Sequence, residues 1–271
     1  VKMKLSNLLP FLTENQNEFK VHCAIGGQGR DAQLPLNEFF SGKFSDYQNH
    51  QTQKNFGRKY ILSLCYLNKD EWLFVGIYES LGVAGMVKET DRELYKYNTR
   101  LTDIGAEFIG KLVVGFKKDF RQSYPNLETC LDNLEVLELK REVLKVEFPG
   151  YDNVNVSYKE LESLIETPAW KTALENQKAV YLIVDTKTGK KYVGSAYGND
   201  MLLGRWRNYI ANGHGGNKLL KSLDFEYIKE NFKYSILEIF KSSVDDETII
   251  NRESFWKEVL LTRTDFGYNG N

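Results

Sequence analysis

The chain has 271 residues, of which 42% are hydrophobic and 27% are charged, and its formal net charge is −1. A chain of this length usually forms two domains, and a composition this apolar excludes disorder over any long stretch. The net charge gives no overall attraction to nucleic acid, so such binding must come from local clusters of basic residues.

The first half of the chain is predicted to be a strand-rich, barrel-like domain over residues 1–150. Short runs of β-favouring residues, separated by turn residues, indicate strands at 19–25, 58–67, 71–79, 111–116 and 134–140. A short helix is predicted over 35–40.

The two halves are predicted to be joined by a connector over residues 151–175. Proline and glycine interrupt the pattern at Pro149 and Gly150 and again at Pro168. Between them, residues 158–165 are predicted to form a helix.

The second half, residues 176–271, is predicted to hold a three-stranded antiparallel sheet flanked by helices. Two β-type runs, at 179–186 and 190–197 on either side of Gly189, indicate a hairpin. Asn199 or Asp200 is expected to cap a helix that ends near Asn212. The remaining predicted elements are a helix at 217–231, a strand at 232–240 and a helix at 247–261. The predicted fold class is therefore α+β.

No apolar run approaches the ~18 residues that cross a bilayer, and the N-terminal apolar region is too short for a signal peptide. We expect a cytoplasmic protein with no membrane partner. Cys23, Cys65 and Cys130 lie far apart with no CxxC pair, which favours buried free thiols over a zinc site or disulfides.

A carboxylate on the last predicted helix is placed where apolar residues are expected. Glu253 lies four residues after Ile249 and three before Trp256, so it shares their inward face. A buried ionised acid requires a compensating cation or metal. The alternative is a boundary glutamate paired with Lys257 at i+4, and the pattern favours neither.

Three more side chains are chemical candidates, although each has a plain structural interpretation. Arg205 lies beside the packing face of the first predicted helix and is either a surface residue or a phosphate clamp. Tyr181 and Tyr192, one on each strand of the hairpin, are either packing residues or a pair of close phenols.

Together these residues resemble the GIY-YIG nuclease family in identity and in order. Ala179-Val180-Tyr181 corresponds to the first signature tripeptide and Tyr192-Val193-Gly194 to the second. Arg205 before Trp206, Glu253 on the last helix and Asn269 follow in the family's order. The resemblance covers Ala179 to Asn271, and the departures are small apolar changes at Ala179, Val180 and Val193.

The resemblance implies a metal-dependent enzyme that hydrolyses phosphodiester bonds in DNA. Glu253 would bind one divalent cation, Mg²⁺ or Mn²⁺, and Arg205 would hold the non-bridging phosphate oxygens. Tyr181 would activate or orient the attacking water with support from Tyr192. Because a phenol has a pKa of about 10, a neighbour must lower it, or His214 must take the proton instead.

Basic residues are concentrated between Lys187 and Lys221, so one face of the second domain is expected to suit phosphates. The predicted DNA contacts on this face are Lys191, Arg207, Lys218 and Asn269. In the first domain, loops 26–30 and 48–59 are either target-reading or ordinary surface loops. Their candidate contacts are Arg30, Lys54 and Arg58.

These features predict an endonuclease that acts on double-stranded DNA, is site-specific or modification-dependent, and belongs to a restriction or phage-defence system. The alternatives are a structure-selective repair nuclease and a catalytically silent DNA-binding module. Since one active site cuts one strand, the protein must either pair on DNA or act twice, and of these a homodimer on DNA is expected.

Overall fold

The computed structural model describes residues 2–27, 32–89, 92–118, 122–198, 201–263 and 265–270. Contacts along the chain divide it into two compact units, Val1–Lys145 and Val146–Asn271. No helix in the part of the chain so described is long and apolar enough to cross a membrane.

The first unit is built on one branched sheet. Its strands are β1 (Phe19–Ala24), β2 (His50–Gln51), β3 (Tyr60–Asn68), β4 (Glu71–Glu89), β5 (Arg92–Leu101), β6 (Leu112–Gly115) and β7 (Glu135–Leu139), and its helices are α1 (Leu5–Leu8), α2 (Phe11–Glu14), α3 (Leu34–Phe40) and α4 (Phe44–Asn49). The strand order is β1-β3-β4-β5-β2, and β6 pairs with the start of β4 and with β7. The unit is strand-rich, as predicted.

The two faces of this sheet carry separate apolar cores because neighbouring strand residues point in opposite directions. Along β4, Trp72 and Phe74 belong to the core beneath α1 and α2, whereas Leu73 and Val75 belong to the core beneath α3 and α4. The three cysteines are free and buried, as expected.

The sequence missed β5 and the second half of β4. These two strands form a ribbon in which most side chains are exposed, including Leu81, Val83 and Met86. Leu94 and Tyr97 of β5 are buried, but they stand between exposed residues. The ribbon therefore has no continuous apolar run, and the pattern that predicted the other strands fails there.

The second unit contains a four-stranded antiparallel sheet with helices around it. Its strands are β8 (Asn155–Ser157), β9 (Lys178–Asp185), β10 (Lys191–Ala196) and β11 (Phe232–Phe240), and its helices are α5 (Tyr158–Leu164), α6 (Pro168–Leu174), α7 (Met201–Asn212), α8 (Phe225–Asn231) and α9 (Asp246–Val259). The sheet order is β10-β9-β11-β8. The predicted antiparallel sheet is present with one further edge strand.

That extra strand comes from the segment predicted as a connector. Ser157 on β8 pairs with Lys233 on β11, and Trp170 and Leu174 on α6 are buried in the second unit's core. Residues 151–175 therefore contribute a strand and two helices to the second unit. The α5 helix starts at a capping box formed by Ser157 and Glu160.

Two helix boundaries depend on polar caps. The helix predicted over 217–231 is shorter, because the Asp224 carboxylate accepts hydrogen bonds from the backbone N–H groups of Glu226 and Tyr227 and begins α8 there. Asn199 and Asp200, the predicted caps of α7, lie outside the described residues.

The turn of the β9–β10 hairpin is held by a buried carboxylate. Asp185 has no exposed surface, and its oxygens accept hydrogen bonds from the hydroxyls of Thr188, Tyr227 and Tyr268. Gly189 has a φ of 74°, which the turn requires. Burial acts to raise the pKa of Asp185, but the hydrogen bonds, from Thr188 first, outweigh it, so the pKa is lowered.

Replacing Asp185 with alanine is expected to lower the free energy of unfolding at pH 7 by about 3 kcal/mol, since it removes a buried, multiply bonded charge. A carboxyl with a lowered folded pKa stabilises the fold above its unfolded pKa of about 3.9, and this contribution fades as pH falls through the folded pKa. Urea unfolding at pH 7 and pH 3 measures both effects. Equal stability at pH 7 would contradict the assignment, and Asp152→Ala, at an exposed position, is the control.

Candidate active site

The first signature tyrosine lies in the interior of the second unit. Tyr181 on β9 has no exposed surface, and its hydroxyl lies 3.1 Å from the hydroxyl of Tyr209 on α7. Opposite it on β10 is Gly194, where a Cβ atom would lie 2.4 Å from the Tyr181 hydroxyl oxygen. The glycine therefore makes room for the phenol.

Tyr192 and Tyr209 complete a cluster of three phenols. The ring centroid of Tyr192 lies 6.5 Å from that of Tyr181 and 6.3 Å from that of Tyr209. Tyr192 keeps 8% of its surface exposed, whereas the other two are fully buried. Tyr209 was not among the candidate residues, although its position one turn after Arg205 on α7 places both on neighbouring parts of the helix surface.

Arg205 connects this cluster to an open cavity. Tyr181 has the largest effect on its guanidinium and Tyr209 a smaller one. Both raise the pKa of Arg205, although desolvation acts to lower it. The Nε atom is buried without a hydrogen-bond partner among the described residues. The phenols thus hold a permanently charged guanidinium at the cavity wall.

The electrostatic balance at Tyr181 differs from the sequence expectation. Burial raises the pKa of Tyr181 well above its ordinary value, Tyr192 raises it further, and the lowering effect of Arg205 does not compensate. A neighbouring cation was expected to lower this pKa. Arg205 alone therefore does not lower this pKa below its ordinary value, because burial of the phenol has the larger effect.

Glu253 on α9 faces the same cavity as Arg205. Its Oε1 lies 2.8 Å from Lys257 Nζ, and 15% of its side chain is exposed. Ser195 Oγ on β10 donates a hydrogen bond to Oε2. Both interpretations of the sequence pattern therefore hold, because the carboxylate points inward and is also paired with Lys257.

The cavity has a volume of about 530 Å³. Its lining residues come from β10, α7, α9 and the following segments, and are Ser195, Tyr197, Arg205, Ile250, Glu253, Ser254, Lys257 and Arg263. The described residues contain no cluster of three or more histidine, cysteine, aspartate or glutamate side chains that would enclose a metal. A single carboxylate in a roomy cavity fits a hard cation that keeps most of its water.

Residues 177–269 match the family model of the GIY-YIG catalytic domain. The second unit carries a GIY-YIG domain. The prediction made from the tyrosines, arginine and glutamate is thereby confirmed for this segment, and so is the expectation of an enzyme of this type. The match leaves the first unit unassigned.

Two solved structures resemble the chain. One is a mutant of the catalytic domain of the intron endonuclease I-TevI, with 28% identity over 35% of this chain and 94% of that chain, and a TM-score of 0.29. The other is the catalytic domain of the homing endonuclease I-TevI, with 29% identity over 34% of this chain and 96% of that chain, and a TM-score of 0.28. No curated protein matches the chain.

Asn269, predicted as a DNA contact, clamps strand β10 of the GIY-YIG domain. Its Oδ1 accepts a hydrogen bond from the Val193 N–H at 2.9 Å, and its Nδ2 donates one to the Val193 carbonyl at 2.8 Å. With 5% of its surface exposed, this amide holds the strand that carries Tyr192 and Gly194.

The other predicted site residues of this domain, which are the three DNA contacts and the proton acceptor His214, do not line the cavity. Arg207 makes two 2.7 Å hydrogen bonds to Glu166, and Lys191 donates one to the Gly189 carbonyl. His214 accepts a hydrogen bond from the Gly216 N–H in the loop after α7, and Lys218 is exposed. None of the four lines the cavity described above.

Two of the three candidate DNA contacts of the first unit, Arg58 and Lys54, have partners within that unit. Arg58 makes hydrogen bonds of 2.6 and 2.8 Å to Glu128, so its guanidinium already has a carboxylate partner. Lys54 lies over the ring of Tyr95. Arg30 lies outside the described residues.

Gly194→Ala is expected to lower the free energy of unfolding by about 1–3 kcal/mol through overpacking. It should also slow catalysis, because the new methyl group must push Tyr181 away from Tyr209. Chemical unfolding and a cleavage assay measure the two effects. Gly270→Ala, where a Cβ would have its nearest neighbour at 3.9 Å, is the matched control. Equal stability and equal cleavage rates for the two variants would contradict the role of Gly194 in making room for Tyr181.

Proposed function

We propose that this chain is a metal-dependent endonuclease that hydrolyses DNA with its GIY-YIG domain. The observation that carries the proposal is that Arg205 and Glu253, from different helices, line one cavity. A guanidinium and a carboxylate facing one space can hold a phosphate and a divalent cation side by side.

Cleavage of a phosphodiester requires stabilisation of the charge that builds on the phosphoryl oxygens and on the leaving oxygen. Arg205 supplies a fixed positive charge for the non-bridging oxygens. Glu253 is the residue that would hold the cation, with Ser195 fixing the orientation of its carboxylate. Bound Mg²⁺ or Mn²⁺ supplies Lewis-acid stabilisation at the phosphate.

The phenols act in this proposal as neutral groups. Tyr181 has no exposed surface and interacts with both Tyr209 and Arg205. Its main role is therefore to orient the guanidinium of Arg205. Tyr192 is the partly exposed member of the cluster. As a neutral phenol it can accept a hydrogen bond from an attacking water, which requires no phenolate.

For the first unit we propose target recognition, and one groove supports DNA contact there. Two adjoining cavities of about 330 and 160 Å³ share Gln122, Pro125 and Thr129. Lys20 lines the first and Lys118 the second, and among the described residues of both linings there is no acid. A lysine-lined, acid-free groove suits a phosphate backbone.

Lys118→Gln is expected to reduce the slope of log binding constant against log salt by about one, as for one lost phosphate contact. Fluorescence anisotropy with a duplex at several salt concentrations measures the slope. The control is Lys88→Gln, at an exposed lysine of β4. A slope unchanged from that of the control would remove this groove from the DNA path.

The finer assignment we propose is a site-specific or modification-dependent endonuclease of a restriction or phage-defence system, acting on double-stranded DNA as a homodimer. The presence of a separate folded unit in the same chain as the catalytic domain supports this assignment over a structure-selective repair nuclease. The retained tyrosines, arginine and glutamate argue against a catalytically silent module.

Digestion of unmodified, methylated and glucosylated phage DNA with Mg²⁺, followed by mapping of the ends, tests this function. Discrete fragments from one class of DNA are the expected result. Cutting only at branched or mismatched DNA would support the repair alternative. Binding without cutting would refute the nuclease.

A further inference from the structure

Both carboxylate oxygens of Glu253 already have a protein partner. Lys257 Nζ lies 2.8 Å from Oε1, with 9% of the lysine side chain exposed, and Ser195 Oγ donates a hydrogen bond to Oε2. Most i, i+4 ion pairs are solvated and weak. This pair is shielded from water and lines the cavity itself.

The position of Lys257 matters because a divalent cation would need the same carboxylate. In a partly buried site, two positive charges beside one oxygen repel each other strongly. Of the residues lining this cavity, Glu253 is the one carboxylate. The ammonium and a metal therefore compete for it.

We propose that Lys257 is the counter-cation of Glu253 in the metal-free protein and competes with the divalent cation for this carboxylate. The inference rests on the proposed function. Lys257 leaves Oε1 when the cation is bound, and its ammonium remains in the cavity beside Arg205. A DNA phosphate in that cavity gives the ammonium a new partner, so DNA binding strengthens metal binding.

The ion pair between Lys257 and Glu253 stabilises the metal-free protein. An inward-facing carboxylate without a cation would be desolvated and unpaired, which is destabilising. Lys257 removes that penalty and, by competing, keeps metal affinity low until DNA is present. It is a positioning residue, and a purely structural lysine would change stability without changing metal affinity.

The test is a Mn²⁺ titration of the full chain, followed by electron paramagnetic resonance, without DNA and then with a duplex. Without DNA, Lys257→Met is expected to bind Mn²⁺ at least about tenfold more tightly than the wild type, because one nearby positive charge is lost. Lys257→Arg keeps the charge and should bind like the wild type. DNA should tighten Mn²⁺ binding more in the wild type than in Lys257→Met.

Two controls locate the effect. Lys229 pairs with Glu226 at 2.7 Å on another helix of the same unit, so Lys229→Met should leave Mn²⁺ affinity unchanged. In a Glu253→Gln background, Lys257→Met should no longer tighten binding, because the competition requires the carboxylate.

Unchanged or weaker Mn²⁺ binding by folded Lys257→Met overturns the inference. If that variant does not fold without metal, the rise in unfolding temperature on adding Mn²⁺ is measured for Lys257→Gln. A rise no larger than that of the wild type also overturns it. Neither readout uses cleavage, so a chain that binds Mn²⁺ as expected but cuts no DNA refutes only the proposed function.

Discussion

Glu253→Gln is expected to slow DNA cleavage about a thousandfold, the upper range for loss of one electrostatic group in an active site. Glutamine keeps the size of the side chain and can still accept the hydrogen bond from Ser195. It removes the negative charge that would hold the cation. Single-turnover cleavage of a labelled duplex in Mg²⁺ gives the rate, and anisotropy without metal should show retained DNA binding.

The same substitution leaves Lys257 without its partner, so stability must be separated from catalysis. The double variant Glu253→Gln with Lys257→Met removes both charges and should regain stability without regaining cleavage. Glu258→Gln, at an exposed position on the same helix, should cut like the wild type. Cleavage by Glu253→Gln within tenfold of the wild-type rate would remove this residue from the metal site.

Arg205→Ala is expected to slow cleavage by about 10²–10³-fold, the usual effect of losing a group that stabilises transition-state charge. Arg205 is the cavity residue that the three phenols hold in place. Arg205→Lys should recover only part of the rate, because an ammonium cannot make the paired hydrogen bonds of a guanidinium to phosphate. The same single-turnover assay measures both variants.

Arg207→Ala is the matched control for this prediction. Arg207 lies two residues along the same helix and is paired with Glu166, so its loss should change the cleavage rate by less than about threefold, as for a surface ion pair. Equal losses from Arg205→Ala and Arg207→Ala would indicate a general effect of positive charge on DNA binding and not a catalytic clamp.

Those parts of the fold that bury one face in a regular pattern could be predicted from the sequence. The β9–β10 hairpin around Gly189 and the final helix α9 lie within two residues of the predicted bounds. The largely exposed ribbon of β4 and β5 could not be predicted, because its paired strands carry no continuous apolar run.

Residue type and order selected the candidate site residues, but their electrostatic surroundings could not be predicted. Spacing left open whether Glu253 points inward and whether the two phenols lie close together. The burial of Tyr181, its bond to Tyr209 and the use of Asn269 as a strand clamp depend on contacts between residues far apart in sequence. Such contacts decide whether a polar group is free to meet a ligand, and a local pattern does not contain them.

A DNA phosphate and a divalent cation are expected to meet in the cavity between Arg205 and Glu253. Crystals of the full chain with a short duplex and Mn²⁺ test it by anomalous scattering. The expected result is an anomalous peak bonded to the Glu253 carboxylate and a backbone phosphate against the Arg205 guanidinium. A duplex bound with Mn²⁺ on another surface, and this cavity left without phosphate, would contradict it.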